Sequence, residues 1–196
     1  MKEIDDWADR LFRETPLDQA IDLLGEKLRQ GSSNDRYFLA GRLAEFLTLA
    51  ARNNEALQIL DETIEQNPDD VRFAIRKASL YLYSINDPKK ALRSIDFALE
   101  RARRTKRFRR EALGVKARIL LKLGLGEELS RVLDEIMSTE IIEGVADVGR
   151  ERDFVDRAPP GMIPENVLAR YNEFRPKRPG DNASDEPPEW EPPEWE

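Results

Sequence analysis

The chain is 196 residues long, 36% of them charged, with a formal net charge of −7: enough for one domain with a sizeable core, built from helices that keep one face in water. It has no cysteine and no histidine, which excludes disulfide frameworks, zinc–thiolate sites, cysteine nucleophiles and the commonest general base. The charge is unevenly placed: residues 1–137 carry 25 Lys/Arg against 24 Asp/Glu, and residues 138–196 carry 7 against 15.

At the N-terminus, MKEIDDWADRLF has no apolar signal region, and no run approaches the roughly 18 apolar residues of a membrane span. Cytoplasmic residence without membrane association is the default expectation. Four similar stretches then follow, starting near Ile4, Ala40, Ala74 and Leu113. Each divides into two candidate helices at a breaker. Thr15-Pro16 and Asp87-Pro88 each set a capping side chain before a proline suited to the first helical position, while Asn53-Asn54 and Gly124 to Gly126 mark the equivalent turns. In the third stretch Ala74, Ala78, Tyr81 and Ile85 follow the spacing of one helix face.

Four columns run through these units in register. A small residue recurs at Ala8, Ala44, Ala78 and Ala117, spaced 36, 34 and 39 apart, with Leu11, Leu47, Tyr81 and Leu120 three positions later. A second small column is Ala20, Ala56, Ala91 and Leu129, followed after four residues by Leu24, Leu60, Ile95 and Leu133. Small residues allow helices to approach closely and large ones fill the adjoining groove. No single helix pair buries its apolar stripe alone, so the units are expected to stack.

Between the third and fourth units, RARRTKRFRR places seven basic residues in ten, expected to surround a turn: Arg101, Arg103, Arg104, Lys106, Arg107, Arg109 and Arg110. Beyond Met137 the repeat fades. Ile141, Ile142, Val145 and Val148 are compatible with a continuing helix, and Pro164 to Phe174 predicts another, with Val167, Leu168, Tyr171 and Phe174 on one face. A stacked array needs its last pair covered, so this stretch is expected to cap it. From Pro179 onward there is no Lys or Arg and almost no aliphatic residue, the composition of a disordered tail, which ends in PPEWE twice over.

The units resemble the tetratricopeptide repeat, a 34-residue helix–turn–helix. The best match is Tyr37 to Asp70, with Leu43, Ala44, Leu47, Ala56, Leu60 and Pro68 at the family's places, and the resemblance covers about two-thirds of the chain. It implies an all-α, right-handed solenoid of about four antiparallel helix pairs over residues 1–137, followed by a capping extension at 138–178 and the tail at 179–196. It further implies a scaffold that binds peptides or other proteins, not an enzyme.

In such arrays the first helix of each unit lines the concave face. That places Arg42, Glu45 and Leu49, then Arg72, Arg76, Ser79 and Tyr83, then Val115, Arg118 and Lys122 along a groove in which five of ten residues are basic and one is acidic. In the first unit the same face reads Asp5, Asp6, Asp9 and Arg13. An arginine-lined groove suits carboxylates, since guanidinium offers paired donors. Arg72 and Arg76 also fall where a chaperone-binding clamp of the family has basic residues, although Gly41, Arg42 and Glu45 stand where its asparagines are sought. A solvated helix face is the plain alternative for these arginines.

The expected ligand is therefore an acidic peptide or protein segment. Trp190, Trp195 and Glu196 belong to a tail with that chemistry, a candidate short linear motif for this groove, for the groove of a second molecule, or for an unrelated receptor. A merely solubilising tail is the alternative. The basic run invites a rival reading, RNA or other nucleic acid held along its phosphates, although no recognised nucleic-acid module accompanies it. No glycine-rich phosphate loop or metal-ligand spacing is present, and no cofactor is expected. Clustered acids such as Asp5, Asp6 and Asp9, or Asp69 and Asp70, sit at expected helix starts and turns, where capping or solvation explains them.

Overall fold

The computed structural model describes residues 2–31, 33–105, 108–139 and 155–174. Among them all regular structure is helical: α1 (Lys2–Glu14), α2 (Leu17–Gln30), α3 (Ser33–Leu49), α4 (Asn53–Gln66), α5 (Val71–Tyr83), α6 (Pro88–Thr105), α7 (Arg109–Leu123), α8 (Gly126–Ser138) and α9 (Glu165–Phe174). Each helix packs on the next in the chain through α8, and α9 returns onto α8. Odd-numbered α5 and α7 also touch directly, as first helices of successive pairs do in a solenoid.

The columns explain this packing. Of the sixteen column residues all but Tyr81 are buried, the alanines Ala8, Ala56, Ala78, Ala91 and Ala117 completely so. Two apolar clusters result. One joins α1–α4 with Phe73 and Leu80 of α5, and the other joins α6–α9 with Val71, Ala74, Ile75, Ala78 and Leu82 of the same helix. Helix α5 thus faces both clusters, and Ile64 of α4 packs against each.

Helix ends follow local chemistry, with two departures from the expected boundaries. Asp87 caps α6 as anticipated: its carboxylate accepts the Lys90 amide at 3.0 Å, and that bond holds the carboxyl below its ordinary range. At α2 the start is one residue later than expected. Pro16 has extended ψ of 140° and serves as the N-cap itself, its carbonyl accepting the Ala20 amide at 2.9 Å, with no side-chain cap from Thr15. Helix α5 ends at Tyr83, so Ile85 lies outside it and packs against the first cluster instead.

The second and fourth units turn by the same device. Leu125 donates to the Leu120 carbonyl and Gly124 to that of Leu121, around Gly124 at φ 74°; Arg52 donates to Leu47 and Ala51 to Thr48, around Ala51 at φ 57°. Alanine suffers at positive φ what glycine does not. Ala51→Gly is therefore expected to stabilise the chain by about 1 kcal/mol, read as a higher urea midpoint at constant slope.

At the C-terminal end Val155, Ile163, Val167 and Tyr171 are buried in the second cluster, and Arg170 pairs with Asp134 of α8 at 2.7 Å. The approach is close enough to require Gly126, because a Cβ there would lie 2.4 Å from the Met162 carbonyl oxygen. The expected helical continuation through Ile141, Ile142, Val145 and Val148 lies outside the described residues, as does the tail.

Candidate peptide-binding groove

Helices α3, α5 and α7 place side chains along a groove of about 430 Å³. Its floor is apolar, formed by the buried Ala44, Leu60, Ile75, Leu80 and Val115. Leu49 and Tyr83 stand at its sides, 57% and 60% exposed, and add apolar surface to the floor. Arg76 and Arg118 supply positive charge, Glu45 and Glu111 negative, and Thr48, Ser79 and Ser84 hydroxyls.

Of the sequence-predicted residues, the structure brings Glu45, Leu49, Arg76, Ser79, Tyr83, Val115 and Arg118 together in the groove. Arg76 donates to the Gly41 carbonyl at 3.3 Å and lies 3.9 Å from Glu45, a loose pair with half its side chain in water. Arg118 reaches the Tyr83 hydroxyl at 3.5 Å, linking α7 to α5.

Arg42, Arg72 and Lys122 do not line the groove. Arg42 is drawn into the gap between α1 and α3, where it pairs with Asp9 and with Glu45 (3.2 Å) and covers the Phe46 ring at 5.6 Å. Arg72 is held at the start of α5 by Asp70 through two bonds, 2.8 and 2.6 Å, which raise its pKa further, and lies over Phe108 at 5.6 Å. Lys122 donates to the Leu82 carbonyl at 3.3 Å, satisfying an orphan acceptor near the end of α5. The expected arginine pair of a clamp is therefore split, and the groove carries two arginines against two glutamates.

Glu111 was missed by the sequence reading. It precedes Val115 by four and Arg118 by seven, so helical spacing alone would place it on the same face. The aspartate-rich start of α1 contributes Asp9, which the Arg42 pair occupies.

The basic run is divided by its turn. Arg109 pairs with Glu135, and Arg110 donates to the Ile136 carbonyl at 3.2 Å and covers Phe174 at 5.2 Å, so both tie α7 to the C-terminal helices. Arg101 stacks on Phe97 at 3.6 Å and Arg103 is exposed, whereas Lys106, Arg107 and the Arg104 side chain lie outside the described residues, as do Trp190, Trp195 and Glu196. Among the described residues no group of three or more acids could hold a metal ion, and no helix is long and apolar enough to cross a membrane.

A solved structure from Podosopora anserina, a chain designated a kinesin light chain with nearly identical TPR-like repeats, superposes with a TM-score of 0.58 over 86% of this chain and 92% of that one, at 13% identity. The fold is tetratricopeptide-like. No family model and no curated protein sequence matches the chain. In this tetratricopeptide-like fold α3, α5 and α7 are the first helices of their pairs, and together they line the groove.

Proposed function

We propose that this protein is a non-enzymatic adaptor whose inner groove holds an extended, acidic segment of a partner protein, under regulation by its own C-terminal tail. The observation that carries the reading is the pairing of exposed Leu49 and Tyr83 with Arg76 and Arg118 over an apolar floor. Such a surface takes an apolar side chain and an adjacent carboxylate together. Glu45 and Glu111 add selectivity, since a ligand with acid in the wrong register meets like charge. The tail supports the regulatory part: PPEWEPPEWE carries acid beside large apolar rings, and tethering holds it at an effective concentration of about millimolar. Self-association, one copy's tail seated on a second copy, is the intermolecular form of that regulation.

The test is to select decapeptides on the full chain from a random library and titrate the winners calorimetrically. Acid-rich winners should bind Arg76→Glu/Arg118→Glu about 10- to 100-fold more weakly, the loss of two charge-assisted contacts. Removing residues 181–196 should strengthen them several-fold. Winners without acidic preference, or indifferent to the double reversal, would overturn the groove reading.

A further inference from the structure

On the opposite side of α5 from the groove lies a larger cavity of about 610 Å³, bounded by α4 and α6. The corresponding cavity one unit earlier, between α2 and α4 over α3, has about 270 Å³. The difference coincides with a break in the column of large residues. Where Leu11, Leu47 and Leu120 are buried, the third unit has Tyr81, half-buried, with its ring on the cavity wall. Phe97 of α6 lines the same space.

The cavity is cationic as well as aromatic. Lys77 and Lys90 lie 6.0 and 5.7 Å from the Tyr81 ring centre, Arg101 lies over Phe97, and Arg93 completes four cations against Asp61 and Glu65. Lys77 is paired with Asp61, and Lys90 with Asp87 at 3.4 Å. That leaves an excess of positive charge around an aromatic slot, unlike the balanced inner groove. Such a slot suits an aromatic side chain flanked by carboxylates.

We infer that this outer cavity is the seat of the chain's own tail, taking one indole of the PPEWE repeat while the flanking glutamates meet Lys90, Arg93 and Arg101. Trp190 stands between Glu189 and Glu191, and Trp195 between Glu194 and Glu196. On a proline-stiffened strand with three residues per turn, neighbours splay about 120° to either side of the indole, toward the rim cations. Residues 179–196 carry seven acids and no base, so the charge match extends beyond the slot. Reach is sufficient. Three helix spacings of about 8–10 Å separate α9 from α6 by roughly 30 Å, and the sixteen residues from Phe174 to Trp190 extend to about 50 Å. With an effective concentration of about 1 mM, an affinity of about 0.1 mM would seat the tail about 90% of the time. This seat deepens the regulatory part of the function proposed above and rests on it for its consequence: α5 carries Tyr81 on one side and Arg76 and Tyr83 on the other, so the seat and the groove share one helix.

The seat is read out without any partner. In the full-length Trp7→Phe chain the two remaining tryptophans report only on the tail. Their combined acrylamide quenching constant should be about half that of a free 181–196 peptide, since one indole is seated about 90% of the time and the other stays in water. Lys90→Glu/Arg93→Glu should restore the free-peptide value, and so should Tyr81→Leu, which returns the repeat's own aliphatic residue and keeps the fold. Arg76→Glu/Arg118→Glu should change nothing. Indoles as accessible as the free peptide's would overturn the inference, as would protection lost only with the groove variant. Protection that falls on dilution would assign the seat to a second copy's tail and overturn it equally. Selected groove peptides that still bind through Arg76 and Arg118 would leave the groove reading intact in any of these cases.

Discussion

Ile95→Ala is expected to lower the unfolding free energy by about 3–4 kcal/mol. Ile95 is completely buried in the middle of α6, within the second apolar cluster that joins α5, α7, α8 and α9. The substitution removes apolar surface that no neighbour can replace, because the adjacent Ala91 and Ala98 are fixed by close helix packing and have no side chain to swing into the gap. A domain of this size has about 5–15 kcal/mol in total, so the loss is a substantial fraction of it. Urea unfolding followed by circular dichroism checks this: the midpoint should fall with an unchanged slope. A change below about 1 kcal/mol would mean that the pairs slide together to close the cavity.

Tyr171→Ala is expected to release the C-terminal helix before the rest of the solenoid. Tyr171 is among the largest fully buried side chains, and with Val155, Ile163 and Val167 it makes the apolar attachment of residues 155–174. Truncating a buried aromatic costs about 3–5 kcal/mol. Hydrogen exchange read by mass spectrometry should show α9 amides exchanging on the order of 100- to 1,000-fold faster, while α3 and α4 are unchanged. The reason lies in linear architecture: each pair touches only its neighbours, so damage at one end is transmitted weakly to the other. Uniform acceleration along the chain would show instead that the array and its C-terminal helix unfold as one unit.

Much of the fold was legible because burial in stacked helix pairs imposes a period. The alanine columns, the breakers between them and the helix at Pro164 to Phe174 each reported a local constraint, and every column residue but Tyr81 is buried, as are Val167 and Tyr171 of that helix. Boundaries were less legible. Whether a proline is the cap or the first helical residue turns on one ψ angle, 140° at Pro16, which composition does not encode. The groove was legible in part. Spacing placed Arg76, Tyr83 and Arg118 along one groove, but five basic residues expected on neighbouring helices have several ways of pairing their charges.

Only the tertiary structure decided those pairings. Arg42 turned to Asp9 of α1 and Lys122 to the end of α5, partners set by three-dimensional proximity, whereas Arg72 turned to the Asp70 cap two residues before it. The outer cavity is of the same kind. Tyr81 was visible as the exception in its column, yet the space beside it exists only because α4 and α6 stand apart over α5. The sequence by itself determined the class of this protein, an all-α stack of helix pairs, because a repeated apolar pattern has few ways to be buried. Which cations face a ligand, and on which side, depended on distances between helices, and periodicity carries no information about those.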